Sequence, residues 1–285
     1  MLRARLILGS LALALACEQA PAAAPKSTST PTPEGAAAAA AADPAPSRAE
    51  PDPAPTPPPS AAGIVYAERI VGAAGADDPL PMIVAIHGLG DTPDNFGHLF
   101  DTFTGPARLI LVRGIDDAEG GGYSWFALRA RDPDVAAFSA GVSAAADELA
   151  KAIDVLRNER PTEGLPIVTG FSQGGMLTFA LATAHPEVVG AAFPVGGWLP
   201  PPLVPEKKNA AAPAIHAFHG TDDKAVAFEP TKIGVDSLDA LGFDVQLSVY
   251  DGVGHAITPE IHRDLFDALT DAVAAAHASA KKASK

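Results

Sequence analysis

A Gly-Phe-Ser-Gln-Gly run at residues 170–174 lies between two segments of opposite character. Residues 166–169, Pro-Ile-Val-Thr, resemble a short buried strand, and the segment that begins at Gly175 resembles a helix. A serine at such a junction occupies a sharp, strained turn, which needs flanking glycines because larger side chains would collide with neighbouring backbone. Ser172 is therefore a candidate catalytic nucleophile, although the same pattern also arises by chance in ordinary loops of glycine-rich chains.

Two later segments place an acid and a base at the ends of predicted strands. Residues 214–218 resemble a buried strand that leads into His-Gly-Thr-Asp-Asp at 219–223, and residues 245–250 resemble another that leads to His255. The carboxyl ends of parallel strands meet at one edge of a sheet, so such residues converge there. The order Ser, Asp, His is that of α/β-hydrolases. A turn histidine and a helix-capping aspartate would each be unremarkable alone, but those roles leave the shared order unexplained.

These three side-chain types also complement one another chemically. A serine hydroxyl is a weak nucleophile at neutral pH, so His255 would accept its proton and later pass it to the leaving group. An aspartate would orient the imidazole and stabilise its charged form, and Asp222 and Asp223 both fit by spacing. We interpret the chain as a serine hydrolase.

Attack on a carbonyl creates a negatively charged oxygen, which backbone N–H groups must bind, and losing one such donor costs about 3 kcal/mol. One donor would be Gln173, which follows the nucleophile, and the other is expected in the loop after an earlier strand. Residues 82–86 resemble that strand, and His-Gly-Leu-Gly-Asp-Thr follows at 87–92. Leu89 is the candidate donor. His87 is interpreted as structural, because this loop would contribute its main chain.

Strand-like and helix-like runs alternate along residues 63–277, which predicts one α/β catalytic domain with a mostly parallel sheet and helices on both faces. The first predicted strand is expected to be antiparallel and at the sheet edge. The predicted strands are 64–70, 82–86, 108–112, 167–169, 191–195, 214–218 and 245–250, and the predicted helices are 138–158, 175–184, 232–241 and 259–276.

Charge and cysteine content exclude several classes of partner. The net charge is −14, and residues 1–62 hold only four basic and five acidic residues, so the acidity belongs to the predicted domain. Nucleic acids and anionic membrane surfaces are therefore not expected as partners of that domain. Cys17 is the sole cysteine, which excludes an intramolecular disulfide. The histidines are too scattered for a zinc site, and residues 278–285 are predicted to be a flexible, lysine-rich tail.

Residues 1–17 have the pattern of a signal peptide. Arg3 and Arg5 precede an apolar run at 6–16 that is too short for a membrane span of about 20 residues. Leu-Ala-Leu-Ala-Cys at 13–17 resembles a bacterial lipoprotein signal, in which Cys17 would be lipidated and would anchor the mature chain to a membrane. Ala14 to Ala16 equally fits ordinary cleavage and release. We favour lipidation, because the sole cysteine lies at this position and a long linker follows.

Residues 18–62 are composed almost entirely of Ala, Pro, Ser, Thr and scattered charges. Such a segment buries too little apolar surface to offset the entropy of ordering, so it is predicted to be a disordered linker. Its prolines favour extended geometry, with a reach on the order of 100 Å at about 3.1 Å per residue. The composition fits a tether for an exported enzyme, and it also fits compositional drift.

Six motifs in chain order resemble the phospholipase/carboxylesterase family, which includes the acyl-protein thioesterases. They are His-Gly-Leu-Gly-Asp-Thr at 87–92, Ser-Trp-Phe at 124–126, Gly-Phe-Ser-Gln-Gly-Gly at 170–175, Gly-Trp-Leu-Pro at 197–200, His-Gly-x-x-Asp-x-x-Val at 219–226, and Gly-His at 254–255. The resemblance spans roughly residues 64–276. It implies a small α/β-hydrolase without a large lid, acting on carboxylic esters or thioesters with no cofactor. It also selects Asp223 over Asp222 and assigns Leu89 and Gln173 as oxyanion donors.

The leading functional hypothesis is a hydrolase of small or medium acyl esters that forms an acyl-enzyme on Ser172. Lysophospholipase or thioesterase action on lipid-like substrates is the alternative, and a tethered binding module with retired catalytic machinery is a third. The chain departs from the family pattern in the glycine-rich loop 119–122 and the polar stretch 129–134, which lie where the resemblance implies the acyl-binding surface. The substrate pocket is expected to include four apolar residues, one of which, Trp198, equally fits a core position: Trp125, Phe126, Trp198 and Leu199.

Overall fold

The structure, a computed structural model, describes residues 57–283. The predicted signal peptide and most of the predicted linker therefore lie outside the described residues. In chain order the described elements are β1 (Ser60–Ala61), β2 (Ile64–Val71), β3 (Met82–Ile86), α1 (Pro93–Gly97), β4 (Ala107–Val112), β5 (Asp116–Asp117), β6 (Tyr123–Ser124), α2 (Val135–Glu159), β7 (Ile167–Phe171), α3 (Gln173–Ala184), β8 (Ala191–Val195), β9 (Ala214–Gly220), α4 (Phe228–Ala240), β10 (Val245–Tyr250) and α5 (Pro259–Ala283), with 3₁₀ turns at His98–Phe100 and Pro201–Leu203.

Eight strands form one sheet in the spatial order β1-β2-β4-β3-β7-β8-β9-β10, and β5 and β6 form a separate small hairpin. The strands from β4 to β10 in this order run parallel, whereas β2 is antiparallel to β4 and β1 is antiparallel to β2. This confirms the predicted α/β class and its mostly parallel sheet. In the register of β3 and β7, Ile86 lies opposite Gly170, so the loop after β3 and the turn after β7 begin side by side.

Helices cover both faces of the sheet, as predicted, and the alternation of strand side chains divides the core into two clusters. Met82, Val84 and Ile86 of β3 face the cluster that contains buried residues of α2, α3 and α4. Ile83 and Ala85 face the second cluster, which contains buried residues of α1 and α5. Because β3 is buried on both faces, its sequence is continuously apolar.

Several boundaries differ from the sequence-based expectations, including the end of the linker, the start of the tail and the start of α4. The predicted linker extended to residue 62, but Ser60 and Ala61 pair with β2 through a turn in which Ala62 and Gly63 both have positive φ. The predicted flexible tail began at residue 278, but α5 continues to Ala283, because this segment is rich in alanine and lysine, which favour helix. Helix α4 begins at Phe228 rather than 232, since proline is accepted in the first turn.

No helix within residues 57–283 combines the length and the apolar character that crossing a membrane requires.

A buried cation stabilises the antiparallel end of the sheet. Arg108 of β4 is 2% exposed, and its guanidinium donates to a carboxylate oxygen of Glu68 on β2. The second carboxylate oxygen accepts from Arg160 Nε at 3.0 Å. Burial raises the pKa of the Glu68 carboxyl, but the hydrogen bonds from Arg160 and Arg108 outweigh burial, so the pKa lies below its ordinary value of 4.5. Glu68 therefore remains ionised between two guanidinium groups.

We predict that Glu68→Gln lowers the free energy of unfolding at pH 7 by about 3 kcal/mol, because Arg108 is then buried without a counterion. A carboxyl whose pKa is lower in the folded state than in the unfolded state stabilises the fold at any pH above its unfolded-state pKa. That contribution is lost as the pH falls through the folded-state pKa. The deficit should therefore shrink between pH 5 and pH 3 in urea unfolding experiments. Glu119→Gln, which neutralises an exposed glutamate, is the matched control. Equal stability of the two variants at pH 7 would contradict the assignment.

Candidate active site

Ser172 occupies a strained turn between β7 and α3. Its φ of 57° and ψ of −114° lie in a region that residues other than glycine rarely adopt. A Cβ at Gly170 would lie 2.5 Å from the Gly174 carbonyl oxygen, and a Cβ at Gly174 would overlap the Ile86 carbonyl oxygen. The Ser172 N–H donates to the carbonyl of Val195 at 3.0 Å, which fixes the turn to the end of β8. The two glycines are therefore required by the close approach of β3 and α3.

The structure brings Ser172, His255 and Asp223 into one chain of hydrogen bonds. The Ser172 Oγ lies 2.9 Å from His255 Nε2, and His255 Nδ1 lies 2.6 Å from Asp223 Oδ2. Ser172 follows β7, Asp223 follows β9 and His255 follows β10, so each residue lies beyond the carboxyl end of a parallel strand. The Phe171 ring stacks on the imidazole of His255 at a centroid distance of 4.6 Å, which fixes its plane.

The carboxylate of Asp223 is nearly fully buried and is surrounded by donors. Its Oδ1 accepts from the N–H groups of Ala225 and Val226, both at 2.8 Å. Burial raises the pKa of the Asp223 carboxyl, but hydrogen bonds from His219, His255 and the Val226 N–H outweigh burial and hold it well below its ordinary value. Asp223 is therefore ionised and accepts a hydrogen bond from the N–H at His255 Nδ1, which leaves His255 Nε2 free to accept the Ser172 hydroxyl proton.

The neighbouring Asp222, which spacing alone left as an alternative acid, is exposed. Its N–H donates to the carbonyl of Val253 at 2.9 Å, which ties this turn to the loop that carries His255. The side chain of Asp223, and not that of Asp222, makes the contact with His255.

His219 supports the same carboxylate from the opposite side. Its ring is buried, and Nε2 lies 3.0 Å from the Val226 carbonyl and 3.4 Å from Asp223 Oδ2. Because a carbonyl only accepts, Nε2 carries the proton and the two oxygens share it. Among the described residues Nδ1 of His219 has no partner. This contact was not anticipated from the sequence, although His219 begins the motif that ends at Asp223.

The two residues predicted to donate N–H groups to an oxyanion line the same cavity as Ser172. Gln173 is the first residue of α3, where an N–H has no acceptor within its own helix. Leu89 lies in the loop after β3, and within residues 57–283 its N–H donates to no protein acceptor. A Cβ at Gly88 would lie 3.3 Å from the Ser172 Cβ, which shows how closely this loop approaches. The predicted donors Leu89 and Gln173 therefore both border the serine.

The side chain of Gln173 fixes the segment that faces this loop. Its Oε1 accepts from the Trp125 N–H at 3.0 Å, and its Nε2 donates to the Phe126 carbonyl at 2.9 Å. The indole of Trp125 is buried and donates to the His87 carbonyl at 3.0 Å. His87 accepts from the Gly114 N–H through Nε2, and burial lowers its pKa, so it is neutral and structural as interpreted.

A cavity of about 220 Å³ opens beside Ser172 and His255. Of the four predicted substrate-binding residues only Phe126 lines it. The prediction was wrong for Trp125, Trp198 and Leu199, which lie in the buried core cluster that also contains residues of α2. The Trp198 ring stacks on Phe138 of α2, with ring centroids 5.8 Å apart. The remaining lining residues are Leu89, Arg129, Ala130, Arg131, Gln173, Met176, Ala225 and Val226.

The polar stretch 129–134 therefore contributes to the cavity through residues 129–131, whereas the glycine-rich loop 119–122 does not. Gly122 instead lies against the backbone of Gly90 and Asp91. Met176 could be expected from sequence, because it lies one helical turn after Ser172. Ala225 and Val226 follow the acid directly.

A larger cavity of about 610 Å³ lies at the amino-terminal edge of the sheet, lined by residues that include Leu80, Pro106 and Val273. It contains the pair Glu163 and His277, but its lining includes no serine or cysteine nucleophile. The smaller cavity is the one that Ser172 and His255 line.

The parallel sheet, the strained serine turn and the Ser–His–Asp contact define an α/β-hydrolase. Within that class, the chain belongs to the phospholipase/carboxylesterase family, whose sequence profile matches residues 68–271.

Individual relatives share only part of their sequence with this chain, at moderate identity. A probable carboxylesterase of Oryza sativa subsp. japonica is 31% identical over 118 residues, which cover 38% of this chain and 43% of that protein. Acyl-protein thioesterase 1 of Gibberella zeae is 30% identical over 100 residues, which cover 33% and 42%. The alignments thus span less than half of each relative. The crystal structure of esterase PE8 is similar in fold, with a TM-score of 0.64 at 23% identity, over 73% of this chain and 98% of that one.

We predict that Ser172→Gly is more stable than Ser172→Ala, with a free energy of unfolding higher by about 1 kcal/mol. Both variants lose the hydroxyl, but only glycine adopts this backbone conformation without strain, and its greater chain entropy offsets part of the gain. For a domain of this size the difference corresponds to roughly 2–4 °C in thermal unfolding. Gly174→Ala should be strongly destabilised, since its Cβ meets backbone. A less stable Ser172→Gly would show that the turn is unstrained.

Proposed function

We propose that the protein is a carboxylic ester hydrolase that cleaves small or medium acyl esters through an acyl-enzyme on Ser172. The observation that carries this proposal is the continuous hydrogen-bonded path from the Ser172 hydroxyl through His255 to the ionised Asp223, beside an open cavity. The family to which the chain belongs supports the same class of reaction.

In the first half of the reaction the Ser172 Oγ attacks the ester carbonyl carbon while its proton moves to His255 Nε2. The carbonyl electron pair becomes an oxyanion, which the N–H groups of Leu89 and Gln173 bind. When the tetrahedral intermediate collapses, the C–O bond to the alcohol breaks and His255 returns the proton to the departing oxygen. Asp223 stabilises the imidazolium in between and stays ionised.

In the second half a water molecule takes the place of the alcohol. It loses a proton to His255 Nε2 and attacks the acyl carbonyl, and the oxyanion forms at the same two N–H groups. Collapse releases the carboxylic acid and returns the proton to the Ser172 Oγ. Every proton in the cycle passes through Nε2, which is why the tautomer set by Asp223 matters.

Cavity size supports small or medium acyl groups. Its volume of about 220 Å³ lies below the range of roughly 300–1,000 Å³ that is usual for pockets of drug-sized ligands. Thioesterase or lysophospholipase action is the second candidate, favoured by the relative in Gibberella zeae that is named an acyl-protein thioesterase. A panel of p-nitrophenyl esters from acetate to palmitate, with an acyl-CoA and a lysophospholipid beside it, separates these activities. A retired binding module would form no covalent adduct with a fluorophosphonate at neutral pH.

We predict that Ser172→Ala abolishes ester turnover and fluorophosphonate labelling while the fold is retained in circular dichroism. Asp223→Asn should lower kcat by about 10⁴-fold, since an amide no longer selects the reactive tautomer of His255. Asp222→Asn is the matched control and should stay within about twofold of wild type. Comparable losses in the two asparagine variants would remove Asp223 from its role, and near-normal turnover in Ser172→Ala would remove the acyl-enzyme.

We also propose that the chain is exported and lipid-anchored at Cys17, with residues 18–56 as the main part of the tether. The support is the apolar run at 6–16 and the position of the sole cysteine at its end. The competing outcome is cleavage after Ala16 and release of a soluble enzyme.

Lipidation at Cys17 predicts incorporation of labelled palmitate when the full chain is expressed in a bacterial host. The label should partition with the membrane fraction and disappear in Cys17→Ser. Ser10→Ala, a change within the same apolar run, is the control and should keep the label. Palmitate that persists in Cys17→Ser would contradict the anchor.

A further inference from the structure

The cavity beside Ser172 carries a charge opposite to that of the chain. The net charge of the whole sequence is −14, yet the charged side chains that line this cavity are two arginines, Arg129 and Arg131, with no aspartate or glutamate among the lining residues. An acidic protein repels anionic ligands in general. The two cations instead line the cavity that adjoins Ser172 and His255.

Neither arginine is used by the fold. Within residues 57–283 the guanidinium groups of Arg129 and Arg131 make no ion pair and no hydrogen bond. Both residues are exposed. Other arginines of the domain are engaged: Arg108 and Arg160 bind Glu68, and Arg157 binds Asp154. An arginine that pairs with a protein carboxylate has its guanidinium N–H groups occupied, whereas those of Arg129 and Arg131 are open to a ligand.

The segment that carries them is a defined turn. Arg129 N–H donates to Asp132 Oδ2 and Asp132 N–H donates to the Arg129 carbonyl, both at 2.9 Å, so residues 129–132 close on themselves. At its base the Phe126 carbonyl accepts from Gln173 Nε2 at 2.9 Å. The turn is thus tied to the residue that follows the nucleophile, and its distance from Ser172 is set by that bond.

We infer that Arg129 and Arg131 form a subsite for an anionic group of the substrate, so that the enzyme prefers esters bearing a carboxylate or phosphate. This inference rests on the proposed ester hydrolysis at Ser172 and adds the substrate class. A guanidinium binds such oxyanions through two parallel N–H···O bonds, a geometry that lysine does not provide. The subsite is solvent-exposed, so its contribution is modest and depends on salt.

The test compares kcat/KM for two matched pairs of esters. On the acyl side, the mono-4-nitrophenyl ester of adipic acid is compared with 4-nitrophenyl hexanoate, in which a methyl group replaces the carboxylate. On the alcohol side, 4-acetoxybenzoate is compared with 4-acetoxybenzamide. In the wild type at about 10 mM salt, at least one pair should favour the anion, and that pair identifies which side of the ester faces the arginines.

In Arg129→Gln/Arg131→Gln the anionic-to-neutral ratio should fall about fivefold in that pair, and 0.5 M salt should lower it in the wild type only. Lysine at both positions should recover only part of the preference. Arg263→Gln, which removes an exposed arginine of α5 and changes the net charge equally per residue, should leave the ratio unchanged. A ratio that is the same in wild type and double variant, or that falls as far in Arg263→Gln, would overturn the subsite.

A second measurement does not need turnover. Two amides carry the free carboxylate on either side of the uncleaved bond: the monoanilide of adipic acid on the acyl side and 4-acetamidobenzoate on the alcohol side. The Kd of at least one of them, measured by calorimetry, should rise about fivefold in the double variant. If no ester is cleaved but this shift is observed, the proposed reaction fails and the anion subsite stands. If esters are cleaved by wild type and neither the ratio nor the Kd changes, the reaction stands and the subsite fails.

Discussion

The close contact of β3, β7 and α3 around Gly170 and Gly174 is the constraint from which the rest of the site follows. These glycines let the backbone of α3 approach the carbonyl of Ile86, where any Cβ would collide. The approach forces Ser172 into its strained conformation and exposes the hydroxyl beyond the sheet edge. It also places the first N–H of α3 beside the loop after β3. One packing contact therefore orients the serine and both candidate oxyanion donors.

Asp223 plays a comparable part for the base. Its four donors come from its own turn, from His219 at the end of β9 and from His255 in the loop after β10. A carboxylate held by so many donors stays ionised despite burial, because its hydrogen bonds outweigh the cost of desolvation. The ionised carboxylate then selects the His255 tautomer whose free nitrogen faces Ser172. The polarity of the path is thus set by the groups behind it rather than by Ser172 itself.

The sequence predicted the parallel sheet, the strained turn at Ser172 and the strand-end positions of Ser172, Asp223 and His255, because each depends on local patterns. Apolar strand runs, flanking glycines and strand-end placement are visible in a few consecutive residues. The residues that line the cavity beside Ser172 were predicted less well. Trp125, Trp198 and Leu199 are apolar residues in family motifs. The sequence does not distinguish an apolar side chain that packs in the core from one that faces a substrate. His219 and Asp223 lie in one motif, but the sequence does not show that the imidazole turns toward the carboxylate. The hairpin of β1 and β2 was missed because composition assigned Ser60 and Ala61 to the linker.

Gln173 connects the chemistry to the surface that would select the substrate. Its backbone N–H lies at the serine, while its side chain bonds to Trp125 and Phe126, at the start of the segment that carries the two arginines. Residues 129–132 make their own turn beyond that anchor. Side chains on this turn can therefore change without disturbing the backbone that surrounds Ser172. Buried contacts fix the candidate nucleophile, base and oxyanion donors, whereas this exposed turn is fastened only at its base. Under the proposed reaction, acyl or alcohol preference can therefore vary at the turn independently of the reaction itself.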